Sequence, residues 1–143
     1  MLLELQYPFD SEFILKKSKS LKRRLMEENT ARIKKKIAVL GGSTTHDVVR
    51  ILELFLLNQG IEPEFYESEY GMYWEDAMFG NEELNAFAPD MIYIHTSLRN
   101  LRSFPEPSDS REAVEEKLAA EYGRFETMWE KLAQERQCPV IQN

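Results

Sequence analysis

The stretch Ile37-Ala38-Val39-Leu40-Gly41-Gly42-Ser43-Thr44-Thr45-His46-Asp47 constrains this chain more than any other. Four apolar residues, two of them β-branched, read as a short buried strand. Gly41-Gly42 breaks the run. Ser43, Thr44 and Thr45 are good helix N-caps, and the apolar run from Val48 to Leu57 has helical length. A strand, a tight glycine turn and a helix start place the turn at the carboxyl edge of a sheet, where ligands of α/β proteins bind. Three roles stay open for Ser43. It caps the helix, or the helix start holds a phosphate or carboxylate, or the turn exposes Ser43 Oγ as a nucleophile. Neither G-x-G-x-x-G nor G-x-x-x-x-G-K-[ST] is present, so a dinucleotide or nucleoside triphosphate is not expected.

Charge divides the 143 residues unevenly. Residues 1–36 carry ten Lys/Arg against five Asp/Glu, and residues 37–143 carry eight against twenty. The basic run from Lys16 to Arg24 invites a nucleic-acid reading, but the acidic remainder repels phosphates. A basic helix lying against an acidic body is the expectation, with no nucleic-acid partner. Hydrophobic content of 43% is that of one globular domain with a real core. No run reaches membrane-spanning length and the start lacks signal-peptide order, so a cytoplasmic location without a membrane partner is expected. The single cysteine, Cys138, excludes an internal disulfide and a cysteine-based metal cluster, and reads as a buried core residue.

Along the chain, residues 1–9 read as an extended arm or edge strand. Asp10 or Ser11 caps a helix to about Asn29 whose sparse apolar positions, Ile14, Leu21 and Leu25, make it a surface helix. The helix from about Thr45 to Gln59 is apolar on most sides and should be among the most buried, with Gly60 as its stop. Glu64–Glu67 is a second strand, and Tyr70–Trp74 an aromatic loop before a helical turn to about Phe79. Tyr70, Met72, Tyr73 and Trp74 either pack on the core or wall a site for an acyl or pantetheine chain. Glu82–Ala88 is a short helix, Met91–Thr96 a central strand and 97–107 an irregular loop. A helix over 111–135 buries Val114, Leu118, Tyr122, Phe125, Trp129 and Leu132, and Cys138–Gln142 is the fourth strand. This alternation predicts a three-layer α/β/α sandwich with a mainly parallel sheet in flavodoxin-like order. Residues 1–36 form an arm and basic helix ahead of an α/β domain over 37–143. With the third strand beside the first, Ser43 and the Thr96–Asn100 loop face one crevice.

Gly-Gly-Ser-Thr-Thr after the first strand, Gly71 after the second and Asn100 after the third resemble the SGNH (GDSL-like) hydrolases. That resemblance implies Ser43 as nucleophile, with the Ser43 and Gly71 N–H groups and the Asn100 side chain as an oxyanion hole. Over nearly the whole chain, from IAVLGGSTTHDVVRILELFLLNQG through DMIYIHTSLRNL to MWEKL and CPVIQN, the sequence also resembles the amino-terminal domain of FkbH-like proteins. Their later half is a HAD-superfamily (subfamily IIIC) domain. The family is associated with activated glycerate units, acyl-carrier thiols, and polysaccharide or polyketide gene clusters.

The chain departs from those patterns in three ways. The D-x-D-x-T motif is absent, which assigns phosphoryl chemistry and Mg²⁺ to a downstream HAD domain outside this chain. The turn reads Gly-Gly-Ser where the hydrolases have Gly-Asp-Ser. Their D-x-x-H pair, drawn from beyond the last strand, has no counterpart, which leaves His46 and His95. The expected site is therefore Ser43 and His95 as catalytic candidates, with Gly42, Ser43, Thr44, Gly71 and Asn100 lining an oxyanion or substrate pocket, and neither metal nor cofactor in this chain. The leading reading is an accessory domain that binds an acyl-carrier protein or a small acyl or glyceryl substrate beside the HAD domain. A Ser43-dependent esterase or acyltransferase, and a purely structural interaction domain, are the alternatives. A serine without a positioned base is a weak nucleophile, so little esterase activity is expected.

Overall fold

The computed structural model describes residues 1–28 and 30–143. Its centre is a four-stranded, all-parallel sheet in the order β2-β1-β3-β4, built from β1 (Ile33–Gly41), β2 (Ile61–Glu67), β3 (Met91–His95) and β4 (Val140–Gln142). The helices are α1 (Ser11–Glu27), α2 (His46–Asn58), α3 (Tyr73–Phe79), α4 (Glu82–Phe87) and α5 (Arg111–Arg136). This is the expected α/β/α sandwich in flavodoxin-like order. The chain reverses its direction across the sheet between β1 and β3, and the Ser43 turn lies at that switch point.

Period-two alternation sends side chains of each strand to opposite faces. Ala38, Leu40, Tyr66, Ile92 and Ile94 point to one face, where Tyr73 and Ala77 of α3, Leu84 of α4 and Phe125, Met128 and Leu132 of α5 close over them. Ile37, Val39, Phe65 and Tyr93 point to the other and meet Val49 and Leu56 of α2. Helix α1 packs on α2 through Ile14, Leu21, Leu25, Leu54 and Leu57, joined by Leu2 and Leu5. Leu25 is completely buried, and each such leucine stabilises the fold by roughly 1.5–3 kcal/mol relative to exposure. Lys22 pairs with Glu53 of α2 at 2.8 Å, one ion pair beside a seam that is otherwise apolar.

Several local expectations change. The first nine residues form no strand: residues 3–5 make a 3-10 turn whose Leu2 and Leu5 plug the α1–α2 seam. The main chain of Leu2 is held at both ends by the buried Asn58 amide, with Leu2 N–H donating to Oδ1 at 2.6 Å and Nδ2 donating to Leu2 C=O at 3.2 Å. Helix α1 starts from an Asp10 cap that accepts the Phe13 N–H. Its last helical residue is Glu27, and the expected end near Asn29 lies outside the described residues. β1 begins at Ile33, because Lys34–Lys36 pair with Glu62–Glu64 and extend the strand past its apolar part. Pro63 fits in β2 because β2 is an edge strand. Helix α3 begins at Tyr73, which takes Tyr73 and Trp74 out of the aromatic loop.

The stripe expected on α5 is half right. Phe125 and Leu132 are buried, but the register is completed by Glu121 and Met128, while Leu118 is 70% and Tyr122 56% exposed. Cys138 is half-buried against the main core. Helix α2 is less buried than its composition suggests, since one side meets the sheet, one meets α1 and a third stays half-open. No helix of the described residues is long and apolar enough to cross a membrane. Replacing Asn58 with Ala leaves the Leu2 N–H and C=O without partners, so we expect a loss of about 1–3 kcal/mol. Urea unfolding would show it, and amide exchange of Leu2–Leu5 should accelerate; an unchanged midpoint would refute the clasp.

Candidate active site at the Ser43 turn

The turn after β1 is shaped by two close approaches. A Cβ on Gly41 would lie 2.5 Å from Thr45 Cγ2 and 2.8 Å from the Ser43 carbonyl oxygen, because the chain doubles back on itself. A Cβ on Gly42 would lie 2.4 Å from both polar atoms of the Asn100 amide. Only glycine fits at either position. The turn is then fastened to β3 from two sides. Gly42 N–H donates to His95 C=O at 2.8 Å, and Asn100 Nδ2 donates to Gly42 C=O at 3.0 Å. Gly42, Asn100 and the end of β3 are thereby brought together, with Ser43 the next residue of the turn.

Neither Ser43 nor Thr44 caps α2. The cap position belongs to Thr45, which makes no side-chain cap bond; its buried hydroxyl instead donates to Glu67 Oε1 at 2.9 Å, at the end of β2. Ser43 is half-buried and Thr44 exposed. Among the described residues, no hydrogen bond reaches Ser43 Oγ from His95, His46 or any carboxylate. His95 Nδ1 shares a 3.0 Å hydrogen bond with Tyr93 Oη, and burial raises the pKa of that phenol. With Tyr93 donating, the ring proton of His95 sits on Nε2; with Tyr93 accepting, Nε2 is the free basic nitrogen. His46 is largely exposed, 3.8 Å from Glu67 Oε2.

Asn100 closes a 3-10 turn over Leu98–Asn100, where its Oδ1 accepts the Ser97 N–H at 2.8 Å. The loop is anchored from α5 by residues the apolar stripe of the sequence concealed. Arg124 donates to Asn100 C=O at 2.9 Å, to Tyr73 Oη at 3.2 Å and to Glu121 Oε2 at 3.0 Å. Glu121 Oε1 accepts the N–H groups of Arg102 and Ser103, both at 3.1 Å. Burial raises the Glu121 pKa, but Arg124 and those donors outweigh it and hold the carboxyl below the usual glutamate range. The Glu-x-x-Arg spacing on one helix face is the signal available in the sequence.

Gly71 has φ +75°, a left-handed conformation that glycine adopts without strain. It lies on the β2–α3 loop, and among the described residues no hydrogen bond joins it to the Ser43 turn. That loop is tied by Asp76, which accepts from Tyr66 Oη at 2.8 Å, Ser68 Oγ at 2.7 Å and Asn81 Nδ2 at 2.8 Å. Burial, with the Asp76 charge behind it, pushes the Tyr66 hydroxyl up to about 12. The aromatic residues expected to act together separate. Tyr73 is buried, Trp74 lies beneath the guanidinium groups of Arg102 and Arg124, and Tyr70 and Met72 face solvent. Among the described residues no group of three or more His, Cys, Asp or Glu is placed to hold a metal ion.

The glycine requirement is testable. Gly42→Ala forces the Asn100 amide away, and we expect roughly 1–3 kcal/mol of destabilisation, with the amide resonances of Ser97–Leu101 displaced. The Glu121 anchor makes a second expectation with a definite sign. A carboxyl depressed by folding contributes stability above its unfolded pKa of about 4.3 that is lost as pH falls through its lower folded value. Chemical denaturation between pH 7 and pH 2 should show that acid-side loss diminished in Glu121→Gln; an identical pH slope would refute the anchor.

Comparison with known proteins places this geometry in a wider setting. No family profile and no curated protein matches the sequence. The fold is similar to the crystal structure of the N-terminal part of the protein BF1531 from Bacteroides fragilis, containing a phosphatase domain, complexed with Mg. The TM-score is 0.65 at 23% identity. The match covers 87% of this chain and 32% of that one, so the chain spans about a third of the length of its structural neighbour. At this identity the likeness is one of fold.

Proposed function

We propose that this chain is the accessory α/β domain of a two-part, FkbH-like phosphatase-superfamily protein. Its Ser43 turn binds a small acyl or glyceryl unit presented by an acyl-carrier thiol. The observation that carries this reading is the build of the turn: polar groups at a sheet's carboxyl edge and, among the described residues, a fixed Asn100 amide with one N–H still uncommitted and a Ser43 hydroxyl with no base hydrogen-bonded to it. Such a place suits binding of a carbonyl or carboxylate better than acyl transfer, because serine attack needs a base within about 3 Å. The fold likeness to a phosphatase-domain protein three times as long supports the two-part arrangement. Under this reading Gly42, Ser43, Thr44 and Asn100 hold the ligand, Gly71 borders it on the β2 side, and Mg²⁺-dependent chemistry lies outside these 143 residues, as the missing D-x-D-x-T motif suggests.

One observation favours an esterase or acyltransferase as the second reading. His95 lies beside the turn through its main chain, and Nε2 is free whenever Tyr93 accepts from Nδ1. Titration with acetyl- and glyceryl-pantetheine thioesters, followed by amide NMR, separates the two. Binding should displace the Gly42–Thr45 and Asn100 resonances and weaken at least tenfold in Asn100→Ala, with negligible turnover of p-nitrophenyl acetate. Robust hydrolysis abolished by both Ser43→Ala and His95→Ala would overturn the binding reading and make His95 the base.

A further inference from the structure

Parallel sheets are stable when both faces are covered by helices. Here one face carries α3, α4 and α5, whereas on the other, among the described residues, α2 packs over β1 and β2 and reaches β3 through Tyr93 alone. Beside α2 the bare part of β3 and β4 forms the floor of an apolar cavity of about 300 Å³. Val48, Leu52 and Leu56 of α2 form one wall, and Met91, Tyr93 and Ile141 of the sheet form the floor. Ile141 is 51% exposed there. The one hydroxyl in this set, Tyr93 Oη, is already engaged by His95, so a small polar ligand finds nothing to grip.

We infer that this trough is the seat of an apolar-faced helix supplied by the phosphatase-bearing remainder of the same polypeptide, an inference that rests on the two-part reading above. The dimensions suit a helix. Val48, Leu52 and Leu56 stand at i, i+4 and i+8, a ridge about 12 Å long at 1.5 Å per residue. Two adjacent strands span about 10 Å, the diameter of a helix with its side chains. A helix seated there would cover the third apolar side of α2, the other two lying against the sheet and α1. A source for the helix is consistent with the structural neighbour, two-thirds of whose chain lies outside the match. Docking there fixes the second part of the protein against β3, the strand whose end bolts the Ser43 turn, and so sets the orientation of the two parts.

Thiol labelling tests the seat. Leu52→Cys is introduced in a Cys138→Ser background, both in the 143-residue chain and in the complete polypeptide encoded by its gene, and each is treated with a maleimide. Labelling should be at least tenfold slower in the complete polypeptide and should recover when Leu56→Asp is added there. Ile141→Cys serves as a second reporter if Leu52→Cys perturbs folding, as judged by circular dichroism. Equal labelling rates in the two forms overturn the seat while leaving the two-part reading standing. A gene that encodes nothing further overturns both. Slow, concentration-dependent labelling of the 143-residue chain assigns the trough to a second copy instead and also overturns the proposal.

Discussion

The candidate site depends on a single close approach, that of Gly42 to the end of β3 and to Asn100. Two hydrogen bonds, Gly42 N–H to His95 C=O and Asn100 Nδ2 to Gly42 C=O, convert a flexible glycine turn into a fixed ledge. A Cβ at position 42 would strike the Asn100 amide and break the second of these bonds. The parallel pairing of β1 with β3, which places Gly41 opposite His95, brings the partners into range. The ledge is therefore a product of sheet order, and the order follows from sending α2 to one face and α3, α4 and α5 to the other.

The ledge is supported from behind by charge. Arg124 reaches from α5 to Asn100, Tyr73 and Glu121, and stacks over Trp74 at 5.0 Å. A half-buried guanidinium and a buried carboxylate are costly to desolvate alone, but each satisfies the other and several main-chain groups. In this arrangement α5 acts as a rigid beam from which the Asn100 loop hangs, and the aromatic residues of α3 serve as its bearing rather than as a ligand wall. The same economy operates at the N-terminus, where one asparagine satisfies both main-chain groups of Leu2.

The two faces of the sheet are unequal. The face under α3, α4 and α5 holds the main core. The face under α2 is packed over β1 and β2 and, among the described residues, reaches β3 only through Tyr93. A ligand on the Ser43 ledge and a helix in the trough would thus act on the same strand, β3, from its end and from its flank.

The sequence by itself determined the alternation of elements and the glycine turn between β1 and α2, because apolar periodicity and glycine punctuation are local signals, and the alternation implied a parallel sheet. It set Ser43 facing the Thr96–Asn100 loop on the condition that the third strand lies beside the first, which the structure meets. Tertiary structure alone decided the rest. Tyr93 and His95 are two residues apart on one strand, yet only their common face makes them hydrogen-bond partners. Thr45 stands at the cap position, but its helical backbone angles (φ −108°, ψ −8°) leave it without a cap bond, and its hydroxyl donates to Glu67 of β2. Glu121 interrupts an apolar stripe and is nevertheless buried, because Arg124 and the 102–103 main chain meet it there, while Leu118 and Tyr122 are exposed. Period and propensity report which residues prefer burial; the partners that decide where a polar group is satisfied come from elements distant in the chain.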